Sequence, residues 1–298
     1  MKILITGGNG QLGNQIYNIL NTGTSELGCI SPIYSSAEII ALDIGDLDIT
    51  DLNVVKNYLY KVKPNIVINS AAYTNVDECE ENYNLAFKVN SLGARNLAIG
   101  CENIRAKLIH ISTDYVFEGK GEKPYKESDI PCPISAYGKT KFLGEEYVKS
   151  FSSRYFIVRT AWLYGYNGKN FVKTILNAAK DKGYLEVVDD QRGNPTNAED
   201  LAYHILKLAI TEEYGVYHCT GNGECSWYDF ASKIVEYAGI ECKVNSIKSD
   251  KLHRAAKRPS YSSLDNMMLR STVGDEMRNW EDALRVFIDK LLSEAKGV

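Results

Sequence analysis

The stretch that most constrains this chain is its first, where a short apolar strand runs into a glycine-rich turn and then a helix. The apolar run Ile3–Ile5 predicts the strand, and the periodic apolar residues after Gln11 predict the helix. Three glycines, Gly7, Gly10 and Gly13, stand between and within these elements. We predict that the first allows a sharp turn, the second lets the backbone approach a pyrophosphate, and the third lets the helix pack on the strand. The N–H groups at the helix N-terminus would face the phosphates.

A second buried strand is predicted at 39–42, and it ends in an acid, Asp43. A carboxylate at this place can accept hydrogen bonds from the adenosine ribose and repels a 2′-phosphate. It therefore favours NADH over NADPH. Asp48 is a rival acid, and Asp48 with Ile49 could lie along the adenine. A solvated aspartate at a strand end is the alternative for Asp43.

Apolar strand patterns then alternate with helical patterns along the chain. The strands are predicted at 66–69, 107–112 and 155–159, and the helices at 52–62 and 84–103. This alternation predicts an α/β fold of the Rossmann type, with a doubly wound parallel sheet.

The periodicity changes in the second half of the chain, which predicts a smaller C-terminal substrate-binding lobe. We predict an NAD(P)-binding domain over 1–166 and a mainly substrate-binding lobe over 167–298. A later segment around 185–211 is able to return to the first domain.

Candidate catalytic residues follow the strand predicted at 107–112. Thr113 leaves the carboxyl end of this strand, where ligands bind in such folds. Tyr137 and Lys141 are four residues apart and would share one face of a helix. We expect the lysine cation to lower the tyrosine pKa and make Tyr137 a general acid near neutral pH, with Thr113 bonded to the same substrate oxygen.

Composition excludes several classes of protein. The 298 residues carry a net charge of −4, which gives no basic surface for nucleic acid. No apolar run is long enough for a membrane span or a signal peptide, so we expect a cytoplasmic protein. The seven cysteines have no CxxC spacing, which favours reduced thiols. The four histidines show no metal-ligand spacing, so no metal site is predicted.

Six segments in order carry a resemblance to a known family: TGGNGQLG, NSAAYTNVDECE, HISTDYVFEG, YGKTKFLGE, RTAWLYG and DQRGNPTNAEDLA. Together they resemble the dTDP-4-dehydrorhamnose reductases, within the extended short-chain dehydrogenase/reductase superfamily. The resemblance implies reduction of the C4 keto group of dTDP-4-dehydro-L-rhamnose by NADH or NADPH. It allows a homodimer, and it implies Thr113, Tyr137 and Lys141 as the catalytic trio.

The resemblance also implies contacts with each ligand. The cofactor would be lined by Gly10, Gln11, Leu12, Asp43, Asp48, Ile49, Ala72, Tyr73 and Thr74, and the sugar by Thr113, Asp114 and Trp162. Trp162 follows a strand end and could pack on the face of a deoxysugar, or be an ordinary rim aromatic. Arg258 opens a segment similar to the family's RPxxSxL and could bind the substrate diphosphate through its guanidinium fork, or be a solvated surface arginine.

Two alternatives stay open beside this reductase. The chain also resembles the regulatory subunit of methionine adenosyltransferase, a cofactor-binding protein without this turnover. A reductase or epimerase of another nucleotide-linked deoxysugar is the nearest enzymatic rival. The presence of Thr113, Tyr137 and Lys141 together favours an enzyme, and Asp114-Tyr115 lacks the Asp-Glu pair expected of a dehydratase.

Overall fold

A six-stranded parallel sheet forms the centre of the computed structural model, which describes residues 1–295. The strands are Lys2–Thr6 (β1), Thr24–Ser25 (β2), Gly28–Cys29 (β3), Glu38–Leu42 (β4), Ile66–Asn69 (β5), Lys107–Thr113 (β6), Tyr155–Thr160 (β7), Leu163–Tyr164 (β8), Tyr184–Val188 (β9), Arg192–Gly193 (β10), Thr196–Asn197 (β11), Gly215–His218 (β12), Cys225–Ser226 (β13) and Lys243–Ile247 (β14). The main sheet has the order β12-β7-β6-β5-β1-β4, and each of its neighbouring pairs is parallel.

Helices cover both faces of this sheet. They are Gln11–Thr22 (α1), Leu52–Val62 (α2), Val76–Glu81 (α3), Tyr83–Ala86 (α4), Ala94–Ile104 (α5), Ala136–Phe151 (α6), Phe171–Lys182 (α7), Ala198–Ala209 (α8), Trp227–Tyr237 (α9), Met267–Thr272 (α10) and Trp280–Ala295 (α11). Short 3₁₀ turns occupy Pro32–Tyr34, Asp114–Val116 and Ser249–Lys251, and a π-helical stretch occupies Phe87–Gly93.

The apolar runs form the strands because both sheet faces are buried. Ile3 and Ile5 pack under α1 and α8, whereas Leu4 between them packs under α2 and α5 on the opposite face. A strand that is covered on both sides needs a continuous apolar run rather than an alternating one. The predicted doubly wound parallel sheet is confirmed.

The strand order reverses between β1 and β5, because the chain first moves from β1 to the edge strand β4 and then returns to the other side. In open α/β sheets, ligands bind outside the carboxyl ends of the strands at such a point. The residues that follow β1 and β5, from Gly7 and from Ser70, therefore face one crevice.

A second apolar core lies beside the sheet. It is built from α7, α9, α11 and the parallel pair β9–β14, with Leu176, Phe230 and Phe287 buried inside it. The segment predicted around 185–211 divides between the two cores, because β9 pairs with β14 while α8 packs on α1. Along residues 1–295 we find no helix whose length and apolar character would suit a membrane crossing.

The helix predicted over 84–103 is longer and less regular than its apolar periodicity suggests. It begins as α4, passes through the π-helical stretch and continues as α5. Such single-turn π segments inside α-helices occur frequently at functional sites. Here the stretch carries Asn90, whose contacts are described below.

Candidate functional site

The glycine turn after β1 is shaped for close approach of backbones. Gly7 has a φ of 68°, and a Cβ there would lie 2.8 Å from the Ala71 nitrogen. A Cβ on Gly13 would lie 2.2 Å from the Gly7 carbonyl oxygen, so α1 could not pack this near β1 with any other residue. The Gly10 N–H donates to the Gly7 carbonyl at 3.0 Å and closes the turn. The turn therefore has the close-packed geometry that was predicted for a pyrophosphate-binding turn.

Beyond this turn lies a cavity of about 320 Å³. Its lining includes these residues from the predicted cofactor set: Gly7, Gly10, Asp43, Asp48, Ile49, Ala72 and Tyr73. One Asp43 carboxylate oxygen accepts from the Asn9 N–H at 3.1 Å and the other from the Ile44 N–H at 2.8 Å. Asp48 is exposed and accepts from the Thr50 N–H at 2.9 Å. Asp43 is therefore fixed against the glycine turn, where an adenosine ribose would lie.

Asn90 is a structural element of this site that sequence reasoning missed. Its side-chain oxygen accepts from the Tyr73 N–H at 2.8 Å, and its amide nitrogen donates to the Tyr73 carbonyl and to the Thr140 hydroxyl, both at 3.1 Å. It thus joins the loop after β5 to α6. A buried asparagine inside a helical pattern was the only local signal.

A larger cavity of about 460 Å³ lies at the carboxyl ends of β6 and β7. The predicted residues that line it are Gly10, Gln11, Leu12, Gly13, Ala72, Thr74, Thr113, Asp114, Tyr137, Lys141 and Trp162. The structure therefore brings together the predicted catalytic trio, the glycine turn and the other two predicted sugar contacts, Asp114 and Trp162. The Gly10 and Ala72 positions line both cavities, so the two are adjacent.

Helix α6 presents Tyr137 and Lys141 to this cavity because two of its glycines allow tight packing. A Cβ on Gly138 would lie 2.2 Å from the Tyr115 carbonyl oxygen, and one on Gly144 would lie 2.4 Å from the Asn90 carbonyl oxygen. The hydroxyl of Ser135 caps the helix by accepting from the Gly138 N–H at 3.1 Å. The glycines of the YGxTKxxGE pattern therefore set the depth of the helix.

The protonation states differ from the expected ones. Burial raises the pKa of the Tyr137 hydroxyl above its ordinary value, opposed by the neighbouring Thr113 hydroxyl. The predicted lowering of the Tyr137 pKa by Lys141 is wrong, because loss of hydration dominates at this depth. Burial also lowers the pKa of Lys141 to about 8, and its ammonium donates to the Ile111 carbonyl at 2.5 Å. Tyr137 is thus protonated at neutral pH, as a proton donor must be.

Asp114 is buried beside the trio. Burial raises the pKa of its carboxyl to about 6, opposed by hydroxyls that include those of Ser262 and Thr113. The Thr113 hydroxyl donates to the Asp114 carboxylate at 2.9 Å and accepts from the Tyr115 N–H at 3.2 Å. In this arrangement the proton of the Thr113 hydroxyl points at Asp114, and the hydroxyl oxygen acts as an acceptor toward other groups.

Two stacked tryptophans form an apolar wall of the cavity. Trp162 has a φ of 46°, and its ring lies parallel to that of Trp227 with a centroid separation of 3.5 Å. Both residues line the cavity. Trp227 was missed as a site residue, because its place at the start of α9 gives no sign of a partner 65 positions earlier in the chain.

The predicted diphosphate ligand Arg258 is held by an ion pair. Its guanidinium donates to both carboxylate oxygens of Asp77, at 2.7 and 3.1 Å, and it is absent from the residues that line the larger cavity. The cations that do line this cavity are Lys141 and the exposed Lys169. The loop that carries Lys169 contacts the glycine turn, since Asn167 donates to the Asn9 carbonyl at 2.7 Å. Among residues 1–295, no cluster of His, Cys, Asp or Glu is arranged to hold a metal.

A dinucleotide cradle, a switch-point crevice and a Thr/Tyr/Lys trio in one cavity define a class of protein. They are the features of a Rossmann-fold oxidoreductase of the extended short-chain dehydrogenase/reductase type.

The chain belongs to the RmlD substrate binding domain family, whose model matches residues 1–293. A dTDP-4-dehydrorhamnose reductase from Aggregatibacter actinomycetemcomitans is 38% identical over 296 residues, which cover 95% of this chain and 97% of that protein. The crystal structure of a dTDP-4-dehydrorhamnose reductase from Clostridium acetobutylicum is 48% identical, with a TM-score of 0.93, and the match covers 98% of this chain and 100% of that one. The reductase from Bacillus anthracis, solved in complex with NADP, is 41% identical with a TM-score of 0.91 over 97% of this chain and 99% of that one. The predicted family is confirmed.

Proposed function

We propose that this protein reduces the C4 keto group of dTDP-4-dehydro-L-rhamnose to give dTDP-L-rhamnose, with NADH or NADPH as the reductant. The observation that carries the proposal is the single cavity in which Thr113, Tyr137 and Lys141 meet the glycine turn and the stacked tryptophans. The names of the relatives, dTDP-4-dehydrorhamnose reductases, support this substrate.

Each polar residue of the cavity has a separate role in the proposed reaction. A bound dihydronicotinamide would supply the hydride. Tyr137, protonated at neutral pH, donates its proton to the substrate oxygen as negative charge develops there. The Thr113 hydroxyl has one proton, which it donates to Asp114, so it would have to turn that proton to the substrate oxygen in order to hold it. The Lys141 ammonium stabilises the charge left on Tyr137.

The cofactor would lie along the glycine turn and the smaller cavity, held by the cofactor residues predicted above. Asp43 accepts from two backbone N–H groups and presents a negative charge where the ribose hydroxyls would lie. We propose that NADH is used at least as well as NADPH, while the NADP complex of the Bacillus anthracis relative supports use of both. Residues 39–51 contain no Lys or Arg that would neutralise a 2′-phosphate.

We propose that residues 1–166 bind mainly the cofactor and the remainder mainly the substrate, with α8 as part of the first unit. We also propose a cytoplasmic enzyme that is able to form a homodimer. Of the predicted sugar contacts, Trp162 would face the deoxysugar ring and Asp114 would act through Thr113.

The deciding experiment follows NADH and NADPH oxidation with a panel of 4-keto-6-deoxy nucleotide sugars that differ in base and sugar. We expect the highest kcat/KM with dTDP-4-dehydro-L-rhamnose. Higher kcat/KM with another sugar would assign the rival reductase activity. Tight binding of NAD(P)H without turnover of any sugar would identify a regulatory protein.

A further inference from the structure

A fully buried ion pair lies directly behind the catalytic helix. The Arg159 guanidinium donates from Nε to Glu145 Oε1 at 2.9 Å and from Nη2 to Oε2 at 2.7 Å. The two side chains are 2% and 0% exposed. The Ser112 hydroxyl also donates to Oε1, at 2.5 Å. Glu145 therefore accepts from both β6 and β7.

Stability alone is a weak explanation for such a pair. Burying two charges costs several kcal/mol of hydration for each ion, and apolar replacements of similar volume are often as stable. The position of the pair suggests a further role, since Arg159 and the serine that donates to Glu145 each precede a residue that lines the catalytic cavity. Ser112 precedes Thr113, and Arg159 precedes Thr160.

Glu145 is also one helical turn from Lys141 on the same face of α6. The two side chains contact consecutive residues of β6, because Lys141 donates to the Ile111 carbonyl and Glu145 accepts from Ser112. Together they fix α6 against the end of β6 at two adjacent points. Thr113 is the next residue of that strand, so the same contacts set its position relative to Tyr137.

Among residues 1–295, the carboxylate that pairs with Arg159 within 4.0 Å is Glu145, and the far side of Arg159 meets a histidine. Arg159 Nη1 lies 3.4 Å from His218 Nε2, and His218 Nδ1 donates to the Tyr125 carbonyl at 3.0 Å. Burial and the Arg159 charge lower the pKa of His218 to about 3, so the ring is neutral. Arg159 is thus neutralised by Glu145.

Several ionisable groups lie on the elements packed around Lys141. They are Tyr137 and Glu145 on α6, His110 on β6, Asp114 and Tyr115 after β6, and Arg159 on β7. Burial and the Lys141 charge hold the pKa of His110 well below its ordinary value, so it is neutral. Burial lowers the pKa of Lys141, and the Glu145 charge is what opposes that effect.

We propose that Glu145, held by Arg159, is a positioning residue that fixes Lys141 against β6 and supplies the negative charge that keeps Lys141 cationic. The catalytic consequence rests on the proposed reductase function. The placement and charge of Lys141 do not rest on that function, because they can be measured on the protein alone.

The test is a pH titration of Lys141 by NMR, with ¹³C-labelled lysine Cε as the reporter and Lys141→Arg to assign the signal. In Glu145→Gln we expect the midpoint to fall by about one pH unit or more, since an opposite charge nearby shifts a pKa by that amount. The matched control is Glu146→Gln, which alters the adjacent, exposed carboxylate that pairs with Lys149 at 2.8 Å. It should leave the midpoint unchanged.

Glu145→Gln leaves Arg159 buried without its partner, so a second variant, Glu145→Gln with Arg159→Met, removes both charges together. We expect it to regain stability yet keep the low Lys141 midpoint. An unchanged midpoint in whichever of these variants is folded would overturn the proposal. In the active enzyme, the fall of kcat/KM on the alkaline side should move to lower pH, because Lys141 loses its charge as pH rises through its pKa. Inactivity of the wild type would count against the reductase and leave the titration result intact.

Discussion

Tyr137 is the proton donor in the proposed mechanism, and burial raises the pKa of its hydroxyl, so it is protonated at neutral pH. Tyr137→Phe removes only the hydroxyl, so we expect the fold and cofactor binding to persist while kcat falls by about 10²–10⁴-fold, the usual contribution of a general acid. Steady-state kinetics and a fluorescence titration with NADH measure the two effects. Tyr147→Phe, on the same helix beside Phe151, is the control and should be fully active. Equal activity in both variants would remove Tyr137 from the mechanism.

Two cations compete for the role of diphosphate ligand. Arg258 can bind a phosphate only after it leaves Asp77, whereas Lys169 lines the cavity directly. We expect Lys169→Met to weaken dTDP or NADP⁺ binding by about two- to fivefold, the size of an exposed ion pair. Calorimetry with each ligand separately shows which diphosphate is bound. Lys180→Met, on α7, is the control. A larger loss of dTDP affinity in Arg258→Met than in Lys169→Met would indicate that Arg258 binds the diphosphate.

For the secondary-structure elements, local signals in the sequence predicted most strands of the main sheet. The apolar runs that became β1, β5, β6 and β7 needed no long-range information, since a strand buried on both faces is uniformly apolar. The N-termini of some helices also carry a local signal in the sequence. Asp51 caps α2, and Ser226 caps α9 in a capping box with Asp229.

What the sequence could not provide was contact between distant elements. Arg258 and Asp77 are 181 positions apart, and no local pattern pairs them. The raised pKa of Tyr137 could not be predicted from a local pattern either, because it depends on how deeply α6 packs. The spacing of Tyr137 and Lys141 does not determine that depth. The roles of individual residues at the site accordingly remain predictions.

The turn between β1 and α1 provides a test of how closely these two elements must pack. Gly13→Ala would place a Cβ 2.2 Å from the Gly7 carbonyl and 2.9 Å from the Ser70 hydroxyl, so α1 must shift away from β1. We expect a loss of about 1–3 kcal/mol in the free energy of unfolding, typical of overpacking, together with weaker NADH binding. Urea unfolding and a fluorescence titration measure both. Gly45→Ala, where an added Cβ meets nothing within 4 Å, should change neither. Wild-type affinity in Gly13→Ala would contradict the cradle.

At the scale of the whole molecule, the larger cavity is bounded by both apolar cores. Trp162 follows β7 of the main sheet, while Trp227 begins α9 of the second core, and their stacked rings join the two. Phe171 of α7 supports Trp227 from a centroid distance of 4.4 Å. The wall that would face the sugar therefore depends on how the second core packs against the sheet.

Trp227→Ala tests this dependence. Without its partner, Trp162 loses a stacking interaction of about 0.5–1.5 kcal/mol beyond the buried area, and it is then free to leave the position in which it would meet the sugar. We expect KM for the nucleotide sugar to rise by about two- to twelvefold, the range to which that energy corresponds. The affinity for NADH should stay unchanged, because Trp227 lines the larger cavity and is absent from the smaller one, which Asp43 lines. Trp227→Phe keeps a flat ring against Trp162 and should restore most of the lost KM. An unchanged KM in Trp227→Ala would show that the stack supports the fold and takes no part in substrate binding, and equal losses for NADH and the sugar would indicate a general displacement of the second core.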